Sequence, residues 1–560
     1  MSGEHILLAG LAVYIGVLVV WPLGRLLTEA LRPGEAGQVL GVLFDALENR
    51  ALSRALNNTI ITALGATAIS VFVGTVAALV LRLTDIPGRA PLMFLMLMPM
   101  LIPPQISALA WIELSGPSSP LLNLLAIAPP PGTTNPLYSM GGIIWVMGLE
   151  HAPLVLLSVA AGIATVPRDL TEAGRIVGAR PRRILLKIVL PSLYPSILAG
   201  AALAFVSAIG NFGVPALLGI PGRVTVLTTL IYQRLNGFGP SVLGQVAAVA
   251  LVLVGLAAIG LAIRTYASRF AGAPLDRTGS RLEPFSLGRW RLAAGSAFWL
   301  FTLVIAVLPL LALLASALVP ALGVRLSPET ASFANFSNVL RNDAIGRAFS
   351  NSFLLALLTA SICAMLSIPI AYMACIRRNR IARLLDGLAD LPYAVPGTVV
   401  ALGMIVVFLP PIPVLGISIY GTFAILLAAY LSRFLLLALR PVGASLASID
   451  PALDEAGRVV GARTWSRLAF IVFPMALPSA LAGGLLIFMT AINELTLSAL
   501  LWSTGTETLG VMVFFLQYEG NSPSAAALAT LVVAFSLGLA LVADLIGRRF
   551  APGVVPWQVG

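Results

Sequence analysis

Two short polar segments of this chain share one pattern and contain the residues best suited to chemistry or docking. Residues 172–180 read EAGRIVGAR and residues 455–463 read EAGRVVGAR; they are named island 1 and island 2. In each, a short helix is predicted to end at a glycine, and a second amphipathic run then leads to Pro191 or Pro474. This form, acidic at its start and basic after its turn, predicts a docking surface, with a membrane-anchoring amphipathic helix as the alternative.

Enzyme chemistry is not predicted for this chain. A phosphate-binding P-loop needs a lysine in a glycine-rich motif, and the one lysine, Lys187, lies in RRILLKI without glycines. The two histidines, His5 and His151, are part of no metal-ligand spacing and no nucleophile–base arrangement. We therefore expect no catalytic residue, no certain metal site and no cofactor bound by this chain.

Charged and amide side chains inside apolar segments are the second group of candidates, because intramembrane charges are commonly functional. Glu150 lies beside His151 in the middle of one apolar segment, and Arg433 occupies the matching place in another. We expect Glu150 and Arg433 to face one cavity as an ion pair or gate; a structural salt bridge is the alternative. Further candidates for a translocation path lie near the predicted outer ends of helices: Asn211, Glu494 and Glu113.

Paired prolines interrupt two apolar segments at matching places. Residues 98–104 read MPMLIPP and residues 391–397 read LPYAVPG. Proline removes a backbone hydrogen bond, which a membrane helix tolerates where neighbours or a cavity satisfy the freed groups. The third and ninth helices are therefore predicted to break near Pro103 and Pro396 and to line a path; a simple packing kink is the alternative.

The elements that must position these residues are membrane helices. Of the 560 residues, 59% are hydrophobic and 10% charged, whereas a soluble domain is about a quarter charged. Apolar windows of about 20 residues recur, each long enough to cross a bilayer. We predict an all-α polytopic membrane protein with twelve helices near 6–28, 56–81, 91–113, 140–165, 190–217, 241–264, 292–320, 349–375, 388–409, 419–445, 473–502 and 522–546.

The net charge of +11 comes from arginines between the apolar windows, so membrane topology explains it better than nucleic-acid binding. With both termini in the cytoplasm, about three times as many basic residues lie inside as outside, in keeping with the positive-inside rule. Both islands then face the cytoplasm.

The chain is an internal repeat. Residues 283 positions apart correspond around the islands, as Glu172 does to Glu455, and residues 293 positions apart correspond upstream, as Asn58 does to Asn351. Six helices per half is an even number, which predicts two parallel, pseudo-symmetric halves. The predicted domains are a first half at 1–268, a cytoplasmic linker at 269–290 and a second half at 291–560, with island-bearing loops at about 166–190 and 449–473.

The islands resemble the coupling loop of ABC importer permeases, whose pattern is Glu-Ala-Ala, a glycine six residues after the glutamate, and Ile-x-Leu-Pro about ten further on. Both copies have glycine at the third position, and the second has Phe473 in place of the leucine. With its two sets of six helices, nearly the whole chain resembles the fused permeases of the ferric-iron transport family, which are related to thiamine, polyamine and phosphonate importers.

The resemblance implies a type I importer fold and the partners of such a permease. Two copies of an ABC ATPase, which bind ATP and Mg²⁺, would dock on the cytoplasmic side, and a periplasmic binding protein would dock outside; no nucleic acid is involved. The implied ATPase contacts are Glu172, Ala173, Gly174, Gly178, Glu455, Ala456, Gly457 and Gly461. The copies differ after the turn, PRR at 181–183 against TWS at 464–466, so we expect the two docking energies to be unequal.

The function expected from the resemblance is import across the bacterial inner membrane, with ferric iron as the first choice of substrate. Thiamine, a polyamine or an organophosphonate are the alternatives within the class. A secondary transporter or channel that works without an ATPase is the alternative of another class, and the duplicated islands argue against it. A membrane scaffold without transport explains the broken helices and buried charges poorly.

Overall fold

The chain is helical in the computed structural model, which describes residues 3–33, 38, 40–270, 284–412, 416–450 and 452–550. Within these residues no strand forms, and one isolated backbone bridge joins Thr84 to Phe285. Helices prevail because apolar segments in a membrane must satisfy their own peptide groups.

Nine helices in the described part of the chain are long and apolar enough to cross a membrane singly, and three bent pairs raise the number to as many as twelve. The single spans are Gly3–Ala30, Arg50–Leu83, Met140–Ile163, Leu243–Tyr266, Gly288–Leu318, Asp343–Ile376, Phe423–Ala447, Thr464–Ala491 and Ser522–Val542. The bent pairs are Arg89–Met100 with Pro104–Leu124, Pro181–Ser192 with Tyr194–Gly210, and Arg380–Ala394 with Gly397–Phe408. The predicted all-α polytopic architecture is confirmed.

The paired prolines break two of these spans. The chain bends by 104° between Met100 and Pro104 and by 110° between Ala394 and Gly397. At each break a proline, Pro103 or Pro396, has an extended backbone with ψ of 141° or 140°. The breaks predicted in the third and ninth helices are therefore present. A third bend, of 59° after Ser192, was not predicted.

The fifth and eleventh spans are shorter than expected. Their helices end at Gly210 and Ala491, so the expected ends at 217 and 502 were wrong. The reason is local: the side chains of Asn211 and Glu494 accept hydrogen bonds from the N–H groups three residues on and so redirect the chain. The short helical segments Pro215–Gly219 and Ser498–Leu501 follow, and after them come the helices Leu227–Phe238 and Leu509–Tyr518.

The chain forms two compact units, each built from three segments. The island 1 unit comprises Arg54–Thr229, Gly255–Val339 and Val513–Gly560. The island 2 unit comprises Met1–Ser53, Leu230–Val254 and Leu340–Met512. Each unit thus includes the first helix of the other sequence half. The predicted halves describe the repeat, and their boundaries stay a prediction; residues 271–283 of the predicted linker lie outside the described residues.

Close helix contacts through glycine hold the island 1 unit together. The helices Arg50–Leu83 and Met140–Ile163 approach so closely that a Cβ at Gly74 would lie 2.5 Å from the Ala152 carbonyl oxygen. Nearby, the Ser70 hydroxyl donates to the Gly148 carbonyl at 2.7 Å. Small residues permit such approach between membrane helices, where van der Waals packing replaces the hydrophobic effect.

Similar contacts build the island 2 unit. The spans Asp343–Ile376, Phe423–Ala447 and Thr464–Ala491 pack mutually, and a Cβ at Gly483 would lie 2.6 Å from the Ala438 Cα. The first helix, Gly3–Ala30, belongs here. Its backbone carbonyl at Leu18 accepts from the Ser432 hydroxyl at 2.7 Å.

The repeat extends to individual hydrogen bonds. In the island 1 unit the Thr59 hydroxyl accepts from the Leu227 N–H at 2.9 Å. In the island 2 unit the Ser352 hydroxyl accepts from the Leu509 N–H, also at 2.9 Å. Each hydroxyl satisfies the backbone at the start of the short helix that follows the fifth or eleventh span.

Replacing Gly74 by valine tests the close helix contact. The added side chain would meet backbone atoms of the facing helix, so we expect a loss of about 1–3 kcal/mol in the free energy of unfolding. Thermal unfolding in detergent measures it. The control is Gly255→Val, at a glycine whose Cβ would meet nothing within 4 Å; equal effects of the two variants would contradict the prediction.

Candidate functional site

Island 1 forms a helix, a left-handed turn and a second helix. The helix Arg168–Ile176 ends where Gly178 takes a φ of +73°. The Gly178 N–H donates to the Arg175 carbonyl and the Ala179 N–H donates to the Gly174 carbonyl, each at 2.9 Å. These bonds satisfy carbonyls that a helix end would leave free, and glycine is the residue that accepts this φ without strain.

Island 2 repeats the same backbone. The helix Ala452–Val459 ends before Gly461, whose φ is +80°. The Gly461 N–H donates to the Arg458 carbonyl and the Ala462 N–H donates to the Gly457 carbonyl, each at 3.0 Å. The helix–turn–helix form predicted from the sequence is present in both islands.

Each turn presents a pair of apolar side chains to the outside. Ile176 and Val177 are 86% and 81% exposed, and the matching residues Val459 and Val460 are 87% and 82% exposed. Nearly complete exposure of two adjacent branched side chains, repeated in both islands, is typical of a surface that another protein covers.

Some of the island residues that match the coupling-loop pattern lie on this outer surface, and others are buried at the base of the island. Ala173, Ala456 and Glu455 are exposed, and Glu172 is partly exposed and pairs with Arg168. Gly174 and Gly457 are buried: a Cβ there would lie 3.1 Å and 2.9 Å from the side-chain ends of Ile188 and Ile471. The third-position glycines therefore let each island helix lie close to the run that follows it.

The bases of the two islands differ in chemistry. Under island 1, Ile184 belongs to a cluster of buried apolar residues that includes Val189 and Leu193. Under island 2, the matching residue is Arg467, whose guanidinium is 2.8 Å from the Asp454 carboxylate. Both side chains of this pair are 4% exposed.

Sequence reasoning missed the Asp454–Arg467 pair. The signal was present, because the same 283-residue register aligns Thr171 with Asp454 and Ile184 with Arg467. In island 2 an aspartate and an arginine, thirteen positions apart, replace two uncharged residues of the other copy. This paired replacement could have indicated that the two side chains are in contact.

Among the predicted path residues, the structure brings Glu150 and Asn211 together. The Asn211 amide nitrogen donates to both Glu150 carboxylate oxygens, at 3.3 and 3.2 Å. The His151 Nε2 is 3.8 Å from one of these oxygens. All three side chains are buried, and they lie where the helix Tyr194–Gly210 ends.

Arg433 has its own partners in the island 2 unit. Its guanidinium donates to the carbonyls of Pro392 and Val395, at 3.2 and 3.0 Å, and lies 5.9 Å from the centre of the Tyr393 ring. The Pro392 carbonyl would bond the N–H four residues on in an unbroken helix, but Pro396 has none. Arg433 therefore supplies the donor that the broken helix lacks. Its predicted pairing with Glu150, a residue of the other unit, stays a prediction.

Glu494 and Asn211 have the same local role. The Glu494 carboxylate accepts from the Leu497 N–H at 2.9 Å, and the Asn211 amide oxygen accepts from the Val214 N–H at 3.1 Å. Glu113 is buried, 4% exposed, on a helix that packs against Leu308–Leu318. Nowhere in the described part of the chain do three His, Cys, Asp or Glu side chains form a group that could hold a metal ion.

Comparison with known proteins identifies relatives along nearly the whole chain. The family model "Binding-protein-dependent transport system inner membrane component" matches twice, at residues 70–271 and 367–556. A protein named as an ABC transporter permease, y4fN of Sinorhizobium fredii, is 27% identical over 91% of this chain and 91% of its own.

Two further relatives have substrates in their names. The Fe(3+)-transport system permease protein FbpB 2 of Haemophilus influenzae is 25% identical over 90% of this chain and 92% of its own. A protein named as a 2-aminoethylphosphonate transport system permease, PhnU of Salmonella typhimurium, is 28% identical over 39% of this chain and 77% of its own.

Replacing Arg433 by methionine tests its role at the break. Two carbonyls would lose their donor, and we expect the free energy of unfolding to fall by about 1–3 kcal/mol for each unsatisfied group, with a smaller loss for Arg433→Lys. Thermal unfolding in detergent measures the change. Arg440→Met on the same helix is the control, since its ion pairs with Asp386 and Asp390 are partly exposed and contribute about 0–1 kcal/mol. A larger loss for the control would contradict this role.

Proposed function

Because the chain belongs to the family of binding-protein-dependent transport system inner membrane components, we propose that it is the transmembrane permease subunit of an ABC importer. Two copies of a separate ATPase dock on islands 1 and 2, and a periplasmic binding protein delivers the substrate on the other side. The observation that carries this proposal is the pair of matching turns with their exposed apolar tips, Ile176–Val177 and Val459–Val460.

Each island fits a groove on a partner better than a lipid surface. A membrane-anchored helix would bury its apolar face along its length, but here the most exposed apolar side chains lie at the turn, between charged residues such as Arg175 and Arg180. The two islands have the same backbone conformation, which suits binding to two identical partner subunits. An ATPase dimer offers that arrangement. ATP and Mg²⁺ belong to that partner, since the permease sequence lacks a P-loop motif.

In the proposed topology the islands and both termini face the cytoplasm of a bacterium, and the chain crosses the inner membrane. The distribution of arginine supports this orientation. Closure of the ATPases on ATP would displace the islands. The spans that follow them, the bent pair Pro181–Ser192 with Tyr194–Gly210 and the helix Thr464–Ala491, would transmit the displacement to the path.

The proposed path includes the polar groups at the helix breaks. Asn211 and Glu494 lie just beyond the ends of two helices. Glu150 contacts Asn211, and Arg433 donates to the carbonyls at the Pro396 break. Discontinuous helices frame substrate sites in many transporters. Pro103 and Pro396 stand at two of these breaks, and Glu113 is placed near the outer end of the same path.

Ferric iron is the proposed substrate. The iron-transport relative aligns with 90% of this chain, and the carboxylates of Glu150, Glu494 and Glu113 suit a hard cation. A 2-aminoethylphosphonate is the second candidate, because a relative with that name matches 39% of the chain; thiamine and polyamines share the same machinery.

Charged substitutions at the island tips test docking. In the double variants Ile176→Asp/Val177→Asp and Val459→Asp/Val460→Asp, burial of a carboxylate against the partner is unfavourable. We expect each to reduce co-purification of the ATPase at least tenfold, and to unequal extents because the bases differ. Leu322→Asp, at an exposed loop residue away from the islands, is the control. Unchanged ATPase recovery from both double variants would contradict docking at the islands.

Uptake measurements test the substrate. In cells that lack their own importers and express the permease with its ATPase and binding protein, we expect radiolabelled Fe³⁺ to accumulate in an ATP-dependent way. Glu150→Gln should lower that uptake, with Glu48→Gln at an exposed residue as the control. Accumulation of 2-aminoethylphosphonate, thiamine or spermidine instead would contradict the iron assignment and leave the importer function intact.

A further inference from the structure

The first helix of each sequence half begins against the island of the other half. The island 2 unit contains the helix Gly3–Ala30, and the island 1 unit contains residues 284–291, which lead into the span Gly288–Leu318. These two segments make specific contacts at matching places on the two units.

In the island 2 unit, the partly exposed Glu4 completes an ion cluster whose inner pair, Asp454 and Arg467, is buried. The Glu4 carboxylate is 3.0 Å from the Arg377 guanidinium and 3.4 Å from that of Arg467. Asp454 contacts the same two arginines, at 3.5 and 2.8 Å, and accepts from the Tyr372 hydroxyl at 2.8 Å. Asp454 directly precedes the island glutamate, so the cluster joins the start of the chain to the base of island 2.

The charges in this cluster balance. Two carboxylates face two guanidinium groups, and Arg467 and Asp454 are almost completely removed from solvent. A buried charge that loses its partner is strongly unfavourable, so removing one acid leaves an uncompensated arginine at the base of the island. Beside the cluster, a Cβ at Gly3 would lie 3.3 Å from the Trp465 ring, directly after the turn of island 2.

In the island 1 unit, the segment 284–291 that begins the first helix of the second half, called the incoming segment, binds through backbone and aromatic contacts. The Phe285 N–H donates to the Leu83 carbonyl at 2.7 Å, and Phe285 pairs with Thr84 in the backbone bridge. The Phe285 ring lies 5.8 Å below the guanidinium of Arg175, a residue of island 1. Leu287 and Arg291 extend the attachment to Asp85.

The two attachments occupy matching positions. Thr84 corresponds to Arg377 in the 293-residue register of the repeat. Each of these residues receives the incoming segment, and each lies beside an island. An ion cluster in one unit and a backbone bridge with a cation–π contact in the other therefore serve the same place in the architecture.

We propose that the segment beginning the first helix of each half braces the island of the other half, through Glu4 for island 2 and through Phe285 for island 1. The proposal rests on the proposed docking of an ATPase, whose closure the braced islands would receive. Because Glu4 belongs to the first sequence half and island 2 to the second, this brace joins the two sequence halves at the base of island 2. Glu4 and Phe285 are positioning residues in this scheme.

The first helix is held in the island 2 unit by contacts that do not involve Glu4. Leu11, Ile15 and Val19 are buried, at 3% exposure or less, and the Tyr14 hydroxyl donates to the Leu431 carbonyl at 2.9 Å. These contacts hold the helix without Glu4. Loss of the Glu4 charge should therefore loosen the base of island 2 and leave the helix in place.

Hydrogen exchange of the full-length protein in detergent tests the brace without any partner or substrate. Buried ion pairs are costly to break by removing one member, and local opening raises exchange in proportion to its population. For Glu4→Gln we expect exchange of the amides of island 2 to rise about tenfold, with island 1 unchanged. For Phe285→Leu, which keeps the backbone bridge and removes the ring beside Arg175, we expect a rise of about threefold at island 1 with island 2 unchanged. Phe285→Tyr, which keeps the ring, should exchange as the native protein does.

The reciprocal pattern makes each variant the control for the other, and Glu48→Gln controls for loss of an exposed glutamate charge. Equal acceleration at both islands would show general loosening and would overturn the brace, as would unchanged exchange in both variants. A different experiment tests the proposed docking. Docking is wrong if the ATPase co-purifies with the island-tip variants to the same extent as with the native chain. In the assembled importer, Glu4→Gln should keep ATPase recovery and lower transport per ATP hydrolysed at least threefold; an unchanged ratio would overturn the force-carrying role.

Discussion

The need to satisfy every peptide group inside the membrane governs this structure. In hydrocarbon no bulk water replaces a missing backbone hydrogen bond, so the groups freed where a helix is interrupted need another partner. Arg433 supplies donors to the carbonyls freed by the proline break at 392–396. Asn211 and Glu494 accept from backbone N–H groups beyond the ends of two spans. These three polar residues of the apolar segments thus contact the backbone where it is irregular.

This constraint changes how the intramembrane charges are understood. Arg433 and Glu150 occupy matching positions in the repeat, but a guanidinium can donate to a broken helix and a carboxylate cannot. Glu150 instead accepts from Asn211. The two halves therefore use one position for different purposes, and this asymmetry is compatible with a path that treats its two sides unequally.

The two islands have the same backbone conformation at their turns, but different side chains pack beneath them. A glycine at positive φ and two hydrogen bonds define each turn, so the tips are alike. Beneath them, island 1 rests on apolar side chains such as Ile184, and island 2 rests on the Asp454–Arg467 pair. The apolar side chains under island 1 can slide without breaking a bond, whereas the ion pair under island 2 resists separation, because a buried charge without its partner is strongly unfavourable. Two islands with similar turns can therefore differ in stiffness.

The sequence by itself determined the helical class, the repeat, the two islands with their glycine turns and the breaks at Pro103 and Pro396. These features follow from local composition, spacing and the missing N–H of proline. Tertiary structure alone decided which helix accompanies which half and the union of Glu4 with Arg377, Asp454 and Arg467. The physical reason is distance along the chain: a contact between residues several hundred positions apart leaves no periodicity in the sequence, and its charges read as isolated surface residues until folding brings them together.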